Sequence, residues 1–183
     1  KMLDLNFTTF PNLTTDRLVL RQLNSDDANE IYLLRSDESV NKYLDRDKAT
    51  VIDDAINFIH KIKTAVANNE SLYWAITIKG NHSLIGTICL FSINIEKDRA
   101  EIGYELIPKF QSKGFMQESI STVIQFAFDN LQIKTITASL TADNSKSVII
   151  LERNNFKLDR NFTYASKEEL ENLTCYYLEQ SNQ

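Results

Sequence analysis

Three successive strand-length runs stand in the middle of the chain, and the first and third alternate with a period of two. In the first run Leu72, Trp74, Ile76 and Ile78 fall on one face and Tyr73, Ala75 and Thr77 on the other. Lys79-Gly80-Asn81-His82 then reads as a turn into Leu84 to Phe91, a run apolar on both faces and therefore suited to the centre of a sheet. The third run, about Arg99 to Leu106, places Ala100, Ile102, Tyr104 and Leu106 on one side and Glu101, Gly103 and Glu105 on the other. Pro108 stops it, because proline cannot donate to a strand ladder. A β-meander is therefore the predicted centre of the fold.

The flanking segments change period. Thr50 and Asp53 stand at N-cap and N3 spacing before Ile52, Ala55, Ile56, Ile59, Ile62 and Val66, which predicts a helix over 50–67. After the proline, Ile120, Val123, Ile124, Ala127, Phe128 and Leu131 give the apolar stripe of a second long helix that opens near Lys113-Gly114. Lys134 to Leu140 reads as a strand, Asn144 to Arg153 as a helix, Phe156 to Phe162 as a strand and Leu173 to Leu178 as the last strand. Near the start, Arg17 to Arg21 reads as a strand and Asn24 as the cap of a short helix, with Asp27 at its N3 position. Strand, crossover helix and strand in this order favour a parallel pair inside a mixed sheet. The class is α/β, or α+β by some schemes, with residues 1–16 as a lead-in and 17–183 as one domain.

Composition narrows the function classes. A formal net charge of −5, with no Lys/Arg block, argues against direct nucleic-acid binding. Cys89 and Cys175 lie in apolar runs and read as small hydrophobes rather than as a disulfide framework. With His60 and His82 in unrelated contexts, no metal-ligand cluster is expected. Apolar stretches are far short of the ~20 residues that span a bilayer, so the expectation is a cytoplasmic protein that is a monomer or homodimer and engages no membrane.

The segment from Pro108 to Glu118 carries the chemistry. It joins a strand to an amphipathic helix, whose first amides lack intrahelical acceptors and can receive a phosphate. Gly114 allows close backbone approach and Lys113 adds a mobile charge, but a single glycine makes neither a Walker A loop nor a dinucleotide fingerprint. An ordinary helix start explains the local pattern as well.

With its flanks, the chain resembles the GCN5-related N-acetyltransferases (GNAT), most closely the branch of ribosomal-protein alanine N-acetyltransferases. The likeness runs from Thr15-Asp16-Arg17-Leu18-Val19-Leu20-Arg21 through Ala100-Glu101-Ile102-Gly103-Tyr104-Glu105-Leu106 to Asn144-Ser145-Lys146-Ser147 and Phe156. It implies a strongly twisted mixed sheet flanked by helices, with a splayed central parallel pair, and acetyl-CoA as the acyl donor. The pyrophosphate loop falls on Gln111, Ser112, Lys113, Gly114 and Phe115, and Met116 replaces the usual final small residue. Leu106 and Ile107 should end the strand that bends away near Ala138 to receive the pantetheine arm, with Asn144 bonding to it. Ser147 corresponds to a serine near the departing sulfur, and Leu151 stands where many relatives carry a proton-donating tyrosine, which moves the leaving-group role to Ser147 or to water and leaves Tyr104 without a role. Glu101 matches a carboxylate able to take the amine proton, whereas Glu105 could attract a cationic acceptor. The implied reaction is direct attack by a primary amine in a ternary complex, with a protein or peptide N-terminus favoured. Polyamines, amino sugars and amino acids are the other acceptors, and a non-catalytic acyl-CoA-binding domain is the alternative reading.

Overall fold

The computed structural model describes residues 5–162 and 173–181. Its eight described strands form one mixed sheet in the order β1-β2-β3-β4-β5-β6-β8-β7. In chain order these are β1 (Leu13–Thr14), β2 (Leu18–Gln22), β3 (Leu72–Ile78), β4 (Leu84–Asn94), β5 (Arg99–Leu106), β6 (Thr135–Thr141), β7 (Lys157–Leu158) and β8 (Leu173–Glu179). The helices are α1 (Ala28–Ser36), α2 (Glu38–Asn41), α3 (Ile52–Ala67), α4 (Phe115–Asp129) and α5 (Ser145–Arg153). The meander expected from the three runs is β3-β4-β5, antiparallel throughout. The only parallel neighbours in the described sheet are β5 and β6, joined through α4.

The alternation of β3 sorts the helices onto two faces. Tyr73 meets Phe58 of α3 edge-on at 5.8 Å, whereas Trp74 meets Phe126 of α4 at 5.8 Å. Successive strand side chains point to opposite faces, so α3 covers one side and α4 the other. Trp74 is fully buried and its indole N–H donates to the Pro11 carbonyl at 2.8 Å, so the segment before β2 is tied to the core. Ile120, Val123, Ala127 and Leu131 of the α4 region are buried as the stripe predicts, with Ile124 and Phe128 partly buried beside them.

Two local expectations are corrected. The N-cap of α3 is Val51 rather than Thr50, because the Asp54 carboxylate accepts from both the Thr50 and Val51 amides, at 2.9 and 3.2 Å. The predicted strand Phe156 to Phe162 is only the two residues of β7: Lys157 and Leu158 pair with β8, and residues 160–161 already form a turn. Phe156 itself is buried, and Asn155 before it adopts φ 65°, a left-handed conformation that asparagine tolerates better than most residues.

Candidate active site

The parallel pair opens along its length. Residues Arg99, Ala100 and Glu101 of β5 pair with Thr135, Ile136 and Thr137 of β6, and the ladder stops there. From Ile102 to Leu106, β5 stays paired with β4 on one side while its other edge has no strand partner among the described residues. This is the splay expected near Ala138. On the other side Gly86 lets the end of β5 lie close against β4, since a Cβ there would lie 2.4 Å from the Glu105 carbonyl oxygen and 2.7 Å from a Leu106 methyl.

A cavity of about 1300 Å³ fills the gap. Its walls are residues 102–106 of β5, Ala138 to Leu140 of β6, the start of α4, the start of α5 and, at the far end, the stretch from Ser39 to Asp45 that includes part of α2. The expected cofactor residues Leu106, Gln111, Ser112, Gly114, Phe115, Met116 and Asn144 all line it, as does Ser147. Ile107 and Lys113 do not. The Ile107 amide is engaged by the Ile85 carbonyl at 2.9 Å, and the Lys113 side chain is exposed, with its ammonium 5.9 Å from the Phe110 ring centroid.

The loop before α4 is shaped by two left-handed residues, Ser112 at φ 61° and Gly114 at φ 81°. Gly114 is the N-cap, and the first α-helical bond runs from the Glu118 amide to its carbonyl at 3.1 Å. The amides of Phe115, Met116 and Gln117 therefore precede any intrahelical acceptor. Arg17 fastens this loop to β2. Its guanidinium donates to the Lys113 carbonyl at 3.0 Å and to Glu118 at 2.8 Å, and it stacks on Phe115 at 4.4 Å from the ring centroid. Burial raises the Glu118 carboxyl, but bonds from Thr15 and Arg17 outweigh this and hold it below the usual range. Glu118 is thus a loop fastener, beyond the favourable placement at a helix N-terminus that its position alone suggests. Met116 is buried and packs into the core, which accommodates its departure from a small residue.

At the middle of the cavity the Tyr104 and Ser147 hydroxyls lie 2.6 Å apart. Tyr104 shares its face with Ile88 and Trp74, the α4 side, which is where α5 packs: Asn154 and Gln117 exchange two side-chain bonds of 2.9 Å. Burial pushes the Tyr104 phenol up to about 12, against the bond with Ser147. Asn144 caps α5 through the Ser147 amide at 3.3 Å.

Glu101 occupies the last paired rung, immediately before the lining of β5 begins. Burial raises its carboxyl, and hydrogen bonding from Ser139 opposes the rise. It is not itself a lining residue, so proton transfer between it and a group in the cavity requires a bridging water. Glu105 lines the cavity but is not free for a cation: Arg46 grips it with both terminal nitrogens, one at 3.0 Å, and Arg46 Nε donates to Asn41 at 2.7 Å. His60 and His82 lie outside the lining, and no group of three His, Cys, Asp or Glu among the described residues could hold a metal.

Removing the Arg46 guanidinium strands a half-buried carboxylate and loosens the wall formed by residues 39–45. Arg46→Ala should cost about 2 kcal/mol of stability in a denaturant titration, below the fully buried limit because both partners keep some solvent contact.

The residues present fit an acyl-CoA on three observations: free amides at a helix start, an unpaired strand edge beside them, and a cavity that continues past both. Three residues that shape the site escaped the sequence reading. Arg17 and Gly86 were visible as residues but not as contacts, and Arg46 carried no signal, since its partner is 59 positions away.

The sequence profile described as an acetyltransferase (GNAT) domain matches residues 17–157. The uncharacterized N-acetyltransferase YoaA of Bacillus subtilis is 34% identical over 148 residues, 81% of this chain and 84% of that protein. Among solved structures, the microcin self-immunity acetyltransferase MccE in complex with acetyl-CoA and AMP superposes with a TM-score of 0.75 at 25% identity, covering 91% of this chain and 94% of that one. RimL, a ribosomal α-N-protein acetyltransferase in complex with coenzyme A, superposes with a TM-score of 0.78 at 17% identity over 98% of both chains.

Proposed function

The chain belongs to the GNAT acetyltransferase family, and from that premise we propose that its acceptor is the α-amine of a protein or peptide N-terminus. It is an N-acetyltransferase that uses acetyl-CoA. The observation that carries the acceptor reading is the charge of the cavity wall. Lys42, Lys146 and Arg153 are its basic members and Asp45 and Glu105 its acidic ones, with Glu105 already paired to Arg46. Such a wall does not concentrate a polycation, whereas a peptide terminus brings one amine on an extended backbone. An α-amine also has a reference pKa near 7.7 to 8.0, so a useful fraction is neutral at physiological pH.

In this reading, bound acetyl-CoA supplies the acetyl thioester. The amides of Phe115 to Gln117 hold phosphate, Gly114 allows its approach, and Gln111, Ser112 and Lys113 shape the loop around it. Gln111 does so by donating to the Leu106 carbonyl at 3.0 Å. Leu106 and Asn144 flank the passage for the amide-bearing arm, and Ile107 anchors the strand end to β4. Ser147 donates a hydrogen bond toward the sulfur as the carbon–sulfur bond breaks, and Glu101 receives the amine proton through water. Much of the acceleration comes from holding both reactants in one cleft.

The test is CoA-thiol release with an amine panel. Ser- and Ala-starting peptides should turn over with higher kcat/KM than spermidine or an aminoglycoside. A preference for spermidine would refute the peptide reading while leaving acetyl transfer intact.

A further inference from the structure

We propose that Tyr104 is a positioning residue for the departing thiolate, acting through Ser147 in the acetyl transfer described above, on which this inference rests. Two hydroxyls 2.6 Å apart inside the cavity share one hydrogen between them and keep the other to donate outward. Either oxygen can donate across this distance; in the proposed arrangement Tyr104, the stronger acid of the two, donates the shared hydrogen, which leaves the Ser147 hydrogen to point at a third atom. A serine alone could turn that hydrogen toward any acceptor, but a serine whose lone pair is held by Tyr104 is both oriented and polarised.

Placement supports a role beyond packing. Tyr104 lies on β5 among the residues with no strand partner toward β6, and Ser147 lies in the first turn of α5, so the pair bridges the two sides of the opening. Leu151, one turn further along α5, is buried and has no polar side-chain atom to offer. The pair is thus the hydroxyl donor that the late part of this helix lacks.

Magnitudes decide what the pair does. Held up at about 12 by burial, the phenol is a much weaker acid than an alkyl thiol, whose reference pKa is about 8.5. Full proton transfer from Tyr104 to the thiolate therefore runs uphill, and the pair stabilises negative charge by hydrogen bonding instead. The step balances without a net proton from it. The amine nitrogen bonds to the acyl carbon, the carbon–sulfur bond breaks with its electron pair on sulfur, and the surplus amine proton leaves through water toward Glu101 or solvent.

The experiment is single-turnover acetylation of a Ser-starting peptide by the wild type, Tyr104→Phe, Ser147→Ala and the double variant, with acetyl-CoA affinity measured by calorimetry. Each single change should lower the chemical rate about tenfold, the worth of one good hydrogen bond, with acetyl-CoA affinity within about twofold of wild type. The double variant should be no slower than Ser147→Ala, because Tyr104 has nothing to act through once the serine is gone. A wild-type rate for Tyr104→Phe, losses that multiply in the double variant, or a loss confined to acetyl-CoA affinity would each overturn the proposal. Absence of peptide acetylation by the wild type itself would instead refute the acceptor reading.

Discussion

Gly114→Val should weaken acetyl-CoA binding about 100-fold. Valine at φ 81° is strained by about 1–3 kcal/mol, and its Cβ would meet the Arg17 guanidinium at 3.1 Å. The free protein can relieve that strain by letting the loop from Gln111 to Gly114 take another shape. A bound phosphate requires the original one, so the cost falls on binding, and each 1.4 kcal/mol is a factor of ten. Met116→Ala provides the contrast. Met116 is buried and packed into the core, so its truncation should cost about 2 kcal/mol of stability with little effect on affinity once folded. Titration calorimetry of both variants separates these effects. Equal, near-zero changes in affinity would remove the α4 N-terminus from the cofactor site.

Glu101→Gln should lower kcat/KM for a peptide acceptor about 100-fold at neutral pH, the lower end of what a general base contributes. The pH profile gives the more specific signature. A base must be deprotonated, and burial raises the Glu101 carboxyl, so its ionised fraction falls at a higher pH than for a solvated glutamate. Below the peptide's own pKa of about 7.7 to 8.0, the logarithm of kcat/KM rises with unit slope, because only neutral amine attacks. Below the Glu101 pKa a second proton must also leave, and the slope becomes two. Glu101→Gln should keep unit slope throughout. Superimposable profiles would assign proton removal to water alone.

The meander was legible because β3 and β5 each carry a period-two alternation, β4 between them is a strand-length run apolar on both faces, and Pro108 marks where the third must end. The stripe from Ile120 to Leu131 identified α4 for the same reason, with the helix start at Gly114 following from the residue's freedom at positive φ. The edge of the sheet was harder to read. β7 is two residues long: Lys157 and Leu158 pair with β8, the Asp159 amide adds one bond to the Cys175 carbonyl, and the chain turns at residues 160–161, a turn set by tertiary pairing rather than by local propensity. The N-cap of α3 moved by one residue because a single carboxylate, Asp54, serves two neighbouring amides.

The site divided along the same line. Gln111 to Met116 and Asn144 to Ser147 are contiguous segments whose order in the chain carries their pattern. Tyr104 and Ser147 are 43 positions apart, Arg17 and Glu118 101, and Arg46 and Glu105 59, so each meeting depends on the assembled sheet. The consequence is clearest at β5. Alternation put Glu105 on one face and Tyr104 on the other, but only the packed molecule shows that Arg46 neutralises the first and Ser147 engages the second.

The most direct test of acetyl transfer to a terminal amine is fragmentation mass spectrometry of a Ser-starting peptide with one internal lysine, after incubation with the protein and acetyl-CoA. The expected result is one acetyl group on the α-amine, released CoA thiol in equal amount, and an unmodified lysine. Tight acetyl-CoA binding with no acetyl group on either amine, beyond a protein-free control, would contradict it.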